Sequence, residues 1–237
     1  MHPSSALLRA ALLGLCVFLP TAAFAGPKPS FNCAKAESIA EKAICKNAGL
    51  AASDLQVADD YARLKAALDP QSAAALADDQ RWFVGARDGR AEAEGGASAK
   101  EIGATLKERT KFLEAVDPRP AEPFIGSWHN EGGGIDISKA ADGSLKVAAN
   151  TAHPVDGRWV CEFKGTGKLS DDVLAVKQDA DEGDKASGAG LTLTRVGASL
   201  KVDFVPAPEA DDQTEDFCGN NGSVTGSYFS VPAGYGD

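Results

Sequence analysis

The sequence has little histidine, a single methionine and no apolar run long enough to span a bilayer. Its 237 residues include three His and one Met, which argues against a metal site built from histidine. A membrane-spanning helix needs about 20 consecutive apolar residues, and every apolar stretch here is shorter. We therefore expect a soluble protein with no transmembrane anchor and no bound metal.

Positive charge is also scarce. The chain has 34 acidic and 24 basic residues, a net charge of −10, whereas a nucleic-acid binder needs a basic surface. The excess is uneven, because residues 26–120 carry a net −1 and residues 121–237 carry −10. We expect no nucleic-acid partner and an acidic C-terminal half.

Several catalytic signatures are missing. The sequence contains no Cys-x-x-Cys, and no glycine-rich phosphate loop lies between a predicted strand and a predicted helix. His129 and His153 have no matched nucleophile and acidic orienter, so a catalytic triad is unsupported. We predict a protein that is not an enzyme and that needs no cofactor.

Residues 1–25 have the pattern of a secretory signal peptide. Arg9 precedes an apolar stretch that is too short for an anchor, and Ala23-Phe24-Ala25 forms a small-residue cleavage site. A lipoprotein site at Cys16 is disfavoured because Leu15 is bulky. Cleavage after Ala25 would leave 212 residues with a net charge of −11, in the periplasm or outside the cell.

Four cysteines remain after this cleavage: Cys33, Cys45, Cys161 and Cys218. In an exported chain they suggest two disulfides, for which three pairings exist. The pairs Cys33–Cys45 and Cys161–Cys218 are favoured because each then lies within one compositional half.

The composition divides the mature chain into two regions. Residues 26–116 are rich in Ala, Leu and charged residues, and their apolar spacing predicts four helices. We expect Ser53 or Asp54 to cap the second helix, and the third to run from about Ser72 to Arg87. Three prolines within residues 116–123 predict a semi-rigid linker over residues 117–123.

From residue 124 the apolar period changes to two. Ile135 and Ile137 alternate with polar neighbours, and Asp142-Gly143 predicts a hairpin turn. Further strands are predicted at residues 155–163, 173–178, 191–196, 199–205 and 223–231. Residues 124–237 should therefore form an antiparallel barrel or sandwich of seven or eight strands, which makes the fold a two-domain α+β protein.

Acidic residues concentrate in two segments, residues 179–184 and 209–216. Such runs usually form a solvated surface, although they could also steer a cationic partner toward the protein. A calcium site is a third reading, but the first segment does not match the EF-hand pattern. For steering, the candidate partner-binding carboxylates are Asp179, Asp181, Glu182 and Asp184.

A family resemblance appears in the helical region. The motifs Phe31-Asn32-Cys33, Glu41-Lys42-Ala43-Ile44-Cys45, Gln80-Arg81-Trp82 and Arg87-Asp88 resemble the N-terminal domain of LprI-type lysozyme inhibitors, over residues 31–90. The resemblance implies an exported helical domain linked to lysozyme resistance. Family members commonly carry another Cys after the Arg-Asp, and its absence here puts the end of the third helix in question.

The C-terminal half is more loosely similar to other small barrels. Gly126-Ser127-Trp128 resembles the start of lipocalin-like barrels, in which the Trp closes one end. Ser187-Gly188 resembles the inhibitory loop of MliC/PliC-type lysozyme inhibitors, although Leu191 replaces the motif's Tyr. That likeness implies that Ser187 and Gly188 contact the partner's cleft.

Together these observations predict an inhibitor that occludes the cleft of a lysozyme-type cell-wall hydrolase. Because lysozymes are basic, the acidic charge suits fast, salt-sensitive association. The alternatives are a periplasmic small-molecule carrier that uses the barrel interior as its pocket, and an envelope-associated structural or binding protein.

Overall fold

The computed structural model describes residues 26–93, 95–180, 188–208 and 215–236. A short 3-10 turn (Cys33–Lys35) opens the helical region. Four α-helices follow in these ranges: α1 (Ile39–Lys46), α2 (Ala48–Ala67), α3 (Pro70–Glu92) and α4 (Ala99–Ala115). Eight strands then complete the chain: β1 (Gly126–Asn130), β2 (Gly133–Lys139), β3 (Leu145–Ala152), β4 (Val160–Ser170), β5 (Val173–Gln178), β6 (Gly190–Val196), β7 (Ser199–Val205) and β8 (Gly226–Val231).

The strands form a closed antiparallel barrel in sequence order. Each strand pairs with the next, and β8 closes the ring by pairing with β1. This confirms the predicted fold class, a helical N-terminal region followed by an antiparallel barrel. In such an up-and-down barrel, successive connections alternate between the two ends.

The barrel interior is filled by side chains. Inward positions alternate with exposed ones along the strands, as the period of two requires. The larger buried side chains of this core are Trp128, Ile135, Phe163, Leu174, Leu191, Leu193, Leu200 and Tyr228. Trp128 is fully buried and donates from Nε1 to the Phe124 carbonyl at 2.7 Å, and the Arg195 guanidinium covers its ring at 4.7 Å.

Helix starts follow local capping chemistry. Ser38 and Glu41 form a capping box at the start of α1. The predicted cap of α2 at Ser53 or Asp54 is wrong, because Asn47 caps this helix and α2 begins at Ala48. Asp54 instead lies inside α2, where its carboxylate accepts from the backbone and hydroxyl of Ser30.

The third helix is longer than predicted. Asp69 caps α3, Pro70 occupies its first turn, and the helix continues to Glu92 without an additional cysteine near its end. Arg87 is buried, bonds Asp88 at 2.8 Å and lies 3.6 Å from Asp54. This buried ion pair joins α2 to α3 near the helix end.

Two strands begin later than predicted. Strand β4 starts at Val160 because residues 153–159 form a turn, in which the His153 N–H donates to the Trp159 carbonyl and Gly157 donates to His153. Strand β8 starts at Gly226 rather than near residue 223.

Both disulfides join the pairs favoured by the sequence. Cys33–Cys45 ties the 3-10 turn to α1, with a Cα–Cα distance of 5.8 Å. Cys161–Cys218 joins β4 to the β7–β8 connection. None of the helices in the described part of the chain is both long and apolar enough to cross a membrane.

The helical region and the barrel share one hydrophobic cluster. Phe229 and Val231 of β8 point outward yet are buried, because helix side chains cover them. The Phe112 ring of α4 meets the Phe229 ring edge to face at 6.4 Å. The linker also starts in contact with the barrel, since the Asp117 N–H donates to the Ser230 carbonyl at 2.9 Å.

Asp69 and Ser72 link α3 directly to the β6–β7 turn. Asp69 accepts from the Gln71 and Ser72 backbones and, across the interface, from the Ala198 N–H at 2.9 Å. A bond from the Ser72 hydroxyl is the main reason that the pKa of Asp69 falls to about 2. Gly197 has φ +60° and lies so close to Asp69 that no side chain fits there.

Asp69→Ala should lower the free energy of unfolding by about 2–3 kcal/mol, because it removes a helix cap and leaves a buried Ala198 N–H with one acceptor fewer. Ser98→Ala is the matched control: Ser98 caps α4 but makes no hydrogen bond to the described residues of the barrel, so only about 1 kcal/mol should be lost. Urea unfolding of both variants measures the difference. Equal losses would contradict a role for Asp69 in joining the two regions.

Candidate functional site

The two acidic segments belong to connections at the same end of the barrel. The β5–β6 connection covers residues 179–189 and the β7–β8 connection covers residues 206–225. Their flanking strand ends are neighbours in register, since Gly190 pairs with both Lys177 and Val205. We call these two connections the acidic barrel end.

Of the predicted contact residues, the described part of the chain includes Asp179 and Gly188. Asp179 is exposed, and its N–H donates to the Lys164 carbonyl at 2.8 Å, which fixes the start of the β5–β6 connection against β4. Gly188 has φ +87°, and a Cβ there would lie 3.3 Å from the Pro208 ring. The two acidic connections therefore adjoin each other at Gly188.

The remaining predicted contacts lie outside the described residues. These are Asp181, Glu182, Asp184 and Ser187. Their role stays a prediction from the sequence.

Glu215 differs from the other carboxylates of the acidic barrel end because it is buried. It accepts hydrogen bonds from the Val224 N–H at 2.8 Å, from the Ser223 hydroxyl and from the Thr225 hydroxyl at 3.1 Å. Glu215 therefore organises the end of the β7–β8 connection rather than facing a partner. It also lies near Cys161 and Cys218, but their sulfur atoms are joined to each other and are not free thiolate ligands for a metal.

A second feature, which the sequence reasoning missed, is a cleft between α3, α4 and the β1–β2 turn. It has a volume of about 380 Å³, and its wall includes Phe83, Arg90, Thr105, Glu108, Arg109, Phe112, Asn130, Glu131 and Tyr235. We call it the interface cleft, because helical and barrel residues both line it.

Arg109 is the central side chain of this cleft. It is 2% exposed, and its guanidinium lies about 5 Å from the ring centres of both Phe83 and Phe112. Nη1 donates to Asp79 at 2.7 Å and Nε donates to Gln80 at 2.9 Å. Arg109 has a recognisable signal in the sequence, because it interrupts the apolar stripe of α4 between Leu106 and Phe112.

Asp79 links the helices to the barrel through two hydrogen bonds. One carboxylate oxygen accepts from Arg109, and the other accepts from the Glu131 backbone N–H at 2.8 Å. Arg90 adds a second link, because it donates to the Pro154 carbonyl and to Glu131, the latter at 3.3 Å. These charged groups are paired across the interface, and removing one partner of such a buried pair typically costs about 3–5 kcal/mol.

One nitrogen of Arg109 has no acceptor. Nη2 is shielded from water and makes no hydrogen bond to the described residues. A buried donor without an acceptor lowers the free energy of unfolding by about 1–3 kcal/mol. Such donors are rare in native proteins, so Nη2 is a candidate for bonding to a ligand.

Burial raises the pKa of Glu131 to about 7. The negative charge of Asp79 raises it further, whereas the positive charges of Arg109 and Arg90 lower it. Glu131 is therefore partly protonated at neutral pH, at the point where the β1–β2 turn meets the helices.

Trp82 and Phe83 take opposite roles on α3. Phe83 is 2% exposed and packs in the core, whereas Trp82 is 38% exposed. The Trp82 ring lies over the β1–β2 turn so closely that a side chain at Gly132 would collide with it.

The two histidines of the described chain are far from each other in role. His129 contacts the Tyr235 ring edge to face at 5.0 Å, and His153 bonds Asp156 at 2.7 Å in the β3–β4 turn.

No protein-family model, no curated protein and no solved structure matches this chain.

The protonation of Glu131 should make stability depend on pH. The folded protein keeps this proton up to about pH 7, whereas the unfolded chain releases it near 4.5. The contribution is thus complete below about pH 4.5 and is lost as pH rises through 7, a change on the order of 3 kcal/mol.

Glu131→Gln should remove this loss of stability between about pH 5 and 7.5 in urea unfolding. Glu37→Gln, at an exposed carboxylate in the helical region, is the control and should leave the pH dependence of the wild type unchanged. If Glu131→Gln kept the full pH dependence, the burial of its carboxyl group would not be its source.

Proposed function

We propose that the protein is an exported binding protein that inhibits a basic, lysozyme-type cell-wall hydrolase by covering its substrate cleft. The observation that carries this proposal is the position of the two acidic segments on adjoining connections at one end of the barrel. Residues 179–184 and 209–216 contain nine acidic residues, the buried Glu215 among them, and the two connections that include these residues join strands that are neighbours in the barrel.

The charge of the acidic barrel end supports binding to a cationic partner. Concentrated negative charge at one end raises the rate of encounter with a basic protein and orients it. Glu215 is turned inward and is not part of this exposed charge, whereas Asp179 is exposed at the start of the β5–β6 connection. The resemblance of residues 31–90 to LprI-type lysozyme inhibitors suggests that this cationic partner is a lysozyme.

Occlusion requires no chemistry from the inhibitor. A connection that enters the hydrolase cleft would exclude the polysaccharide substrate, and the rigid barrel would hold that connection in place. The Ser187-Gly188 segment is the part of the β5–β6 connection that we propose to insert. Two disulfides support a location in an oxidising compartment, the periplasm or the exterior.

The carrier hypothesis gains no support from the barrel interior. Trp128, Phe163 and Tyr228 are at most 1% exposed, and together with branched aliphatic residues they occupy the inward positions. Barrels that carry ligands leave this interior open.

Neutralising the acidic barrel end should slow association with a basic lysozyme. In the variant Asp179→Asn, Asp181→Asn, Glu182→Gln and Asp184→Asn, we expect the association rate constant to fall by about tenfold at low salt. The dissociation rate constant should change less, because peripheral charges act mainly on encounter. Surface plasmon resonance at several salt concentrations measures both constants.

The matched control removes four exposed carboxylates from the helical region instead: Glu37→Gln, Asp59→Asn, Glu92→Gln and Glu114→Gln. It has the same net charge as the test variant and should associate substantially faster. Ser187→Ala should raise the dissociation rate constant if this residue enters the cleft. No binding to any lysozyme at low ionic strength, and no protection of cell walls in a lysis assay, would refute the proposal.

A further inference from the structure

The interface cleft has properties that the hydrolase proposal does not use. It lies between α3, α4 and the β1–β2 turn, and both regions of the chain supply its walls. We propose that it binds an uncharged saccharide that carries hydroxyl and amide groups. This inference does not rest on the proposed function, because it concerns a different surface and a different ligand.

One nitrogen of Arg109 has no hydrogen-bond partner among the described residues. Nε and Nη1 of this guanidinium bond to Gln80 and Asp79, and the group contacts the rings of Phe83 and Phe112. Nη2 alone donates to nothing among the described residues, although it belongs to a side chain that lines the cleft. An acceptor oxygen of a ligand, a carbonyl or a hydroxyl, would complete its hydrogen bonding once the adjacent cleft wall adjusts to admit it.

The charged groups of the cleft offset each other, which favours an uncharged ligand. Two positive groups, Arg90 and Arg109, line the cleft together with the carboxyl groups of Glu108 and Glu131. Asp79 lies directly behind Arg109 and already accepts its Nη1. An anion would therefore meet Arg90 and Arg109 together with Glu108, Asp79 and the partly protonated Glu131, so desolvating it would bring no net electrostatic gain.

The wall of the cleft mixes polar and aromatic groups. Thr105 and Tyr235 add hydroxyl groups that both donate and accept, while Glu108 and Glu131 accept. The rings of Phe112 and Tyr235, which meet at 6.4 Å, add an apolar wall. A saccharide offers hydroxyl groups that bond with the polar side chains, and its C–H faces pack against the aromatic rings. The volume of about 380 Å³ is at the small end of ligand pockets, suited to one or two sugar rings.

Titration of the purified protein with di-N-acetylchitobiose, which has two sugar rings, tests this proposal. Calorimetry measures the affinity, and amide NMR shifts locate the site, with the largest changes expected at Thr105, Glu131 and Tyr235. Inorganic phosphate and acetate serve as anionic probes at the same ionic strength. They should leave these amides unchanged.

Variants at the cleft distinguish specific binding from general adhesion. Thr105→Val and Tyr235→Leu should each weaken the affinity about fivefold, the effect of losing one hydrogen bond or contact. Thr110→Val on the same helix and Tyr61→Leu are matched controls and should bind normally. Tyr61 is comparable because Lys65 lies over its ring at 5.5 Å, as Lys111 lies over the Tyr235 ring at 5.1 Å. Arg109→Lys keeps the charge but lacks Nη2 and should abolish binding.

The outcomes separate clearly. Saccharide binding that Thr105→Val and Tyr235→Leu weaken, and that the controls retain, would establish the site even if Arg109→Lys fails to fold. Shifts elsewhere on the protein, shifts at the cleft with the anionic probes alone, or no shifts with millimolar saccharide would overturn it. None of these results depends on lysozyme, so failure here leaves the hydrolase proposal standing.

Discussion

The structure depends on one buried carboxylate, Asp79, which holds a helix and the barrel at the same time. Its two oxygens accept from the Arg109 guanidinium of α4 and from the Glu131 N–H of the β1–β2 turn. A buried charge is tolerated only where it is paired and hydrogen-bonded, so this arrangement requires the helices and the barrel to be in contact. The Pro-rich segment between them therefore joins two regions that also share a core.

The same interface also explains why the molecule has its polar cleft outside the barrel. The barrel buries its large side chains inward, which leaves its interior filled. The outer face of β8 is covered by α4, and the junction of helices, β1–β2 turn and residue 235 leaves the interface cleft. The acidic barrel end is formed by the β5–β6 and β7–β8 connections, which lie at the same end of the barrel as the β1–β2 turn. The cleft differs from it because helical residues supply much of its wall and because its charged groups include both signs.

Much of the fold could be predicted because its signals are local. The change of apolar period near residue 124, the prolines before it and the Asp142-Gly143 turn are all visible within short windows of sequence. The disulfide pairing followed from the two compositional halves. The start of α2 was misplaced because Asn47, Ser53 and Asp54 are all good caps, and only the fold shows that Asp54 has a buried partner in Arg87.

The interface cleft could not be predicted because its partners are distant in sequence. Asp79 and Arg109 are 30 residues apart, and Asp79 and Glu131 are 52 apart. Local spacing carries no information on such pairs. The position of Arg109 within the apolar stripe of α4 is typical of a buried charge, but nothing in the sequence names its partner. The acidic barrel end was predictable in composition, while the adjacency of its two connections required the strand order.

Hydrogen–deuterium exchange of the protein, free and bound to a basic lysozyme, tests the central claim that the acidic barrel end is the binding surface. The account predicts slower exchange on binding in the peptides that cover the β5–β6 and β7–β8 connections, with little change in α1 and α2. Protection confined to the helical region, with unchanged exchange in both acidic connections, would contradict it.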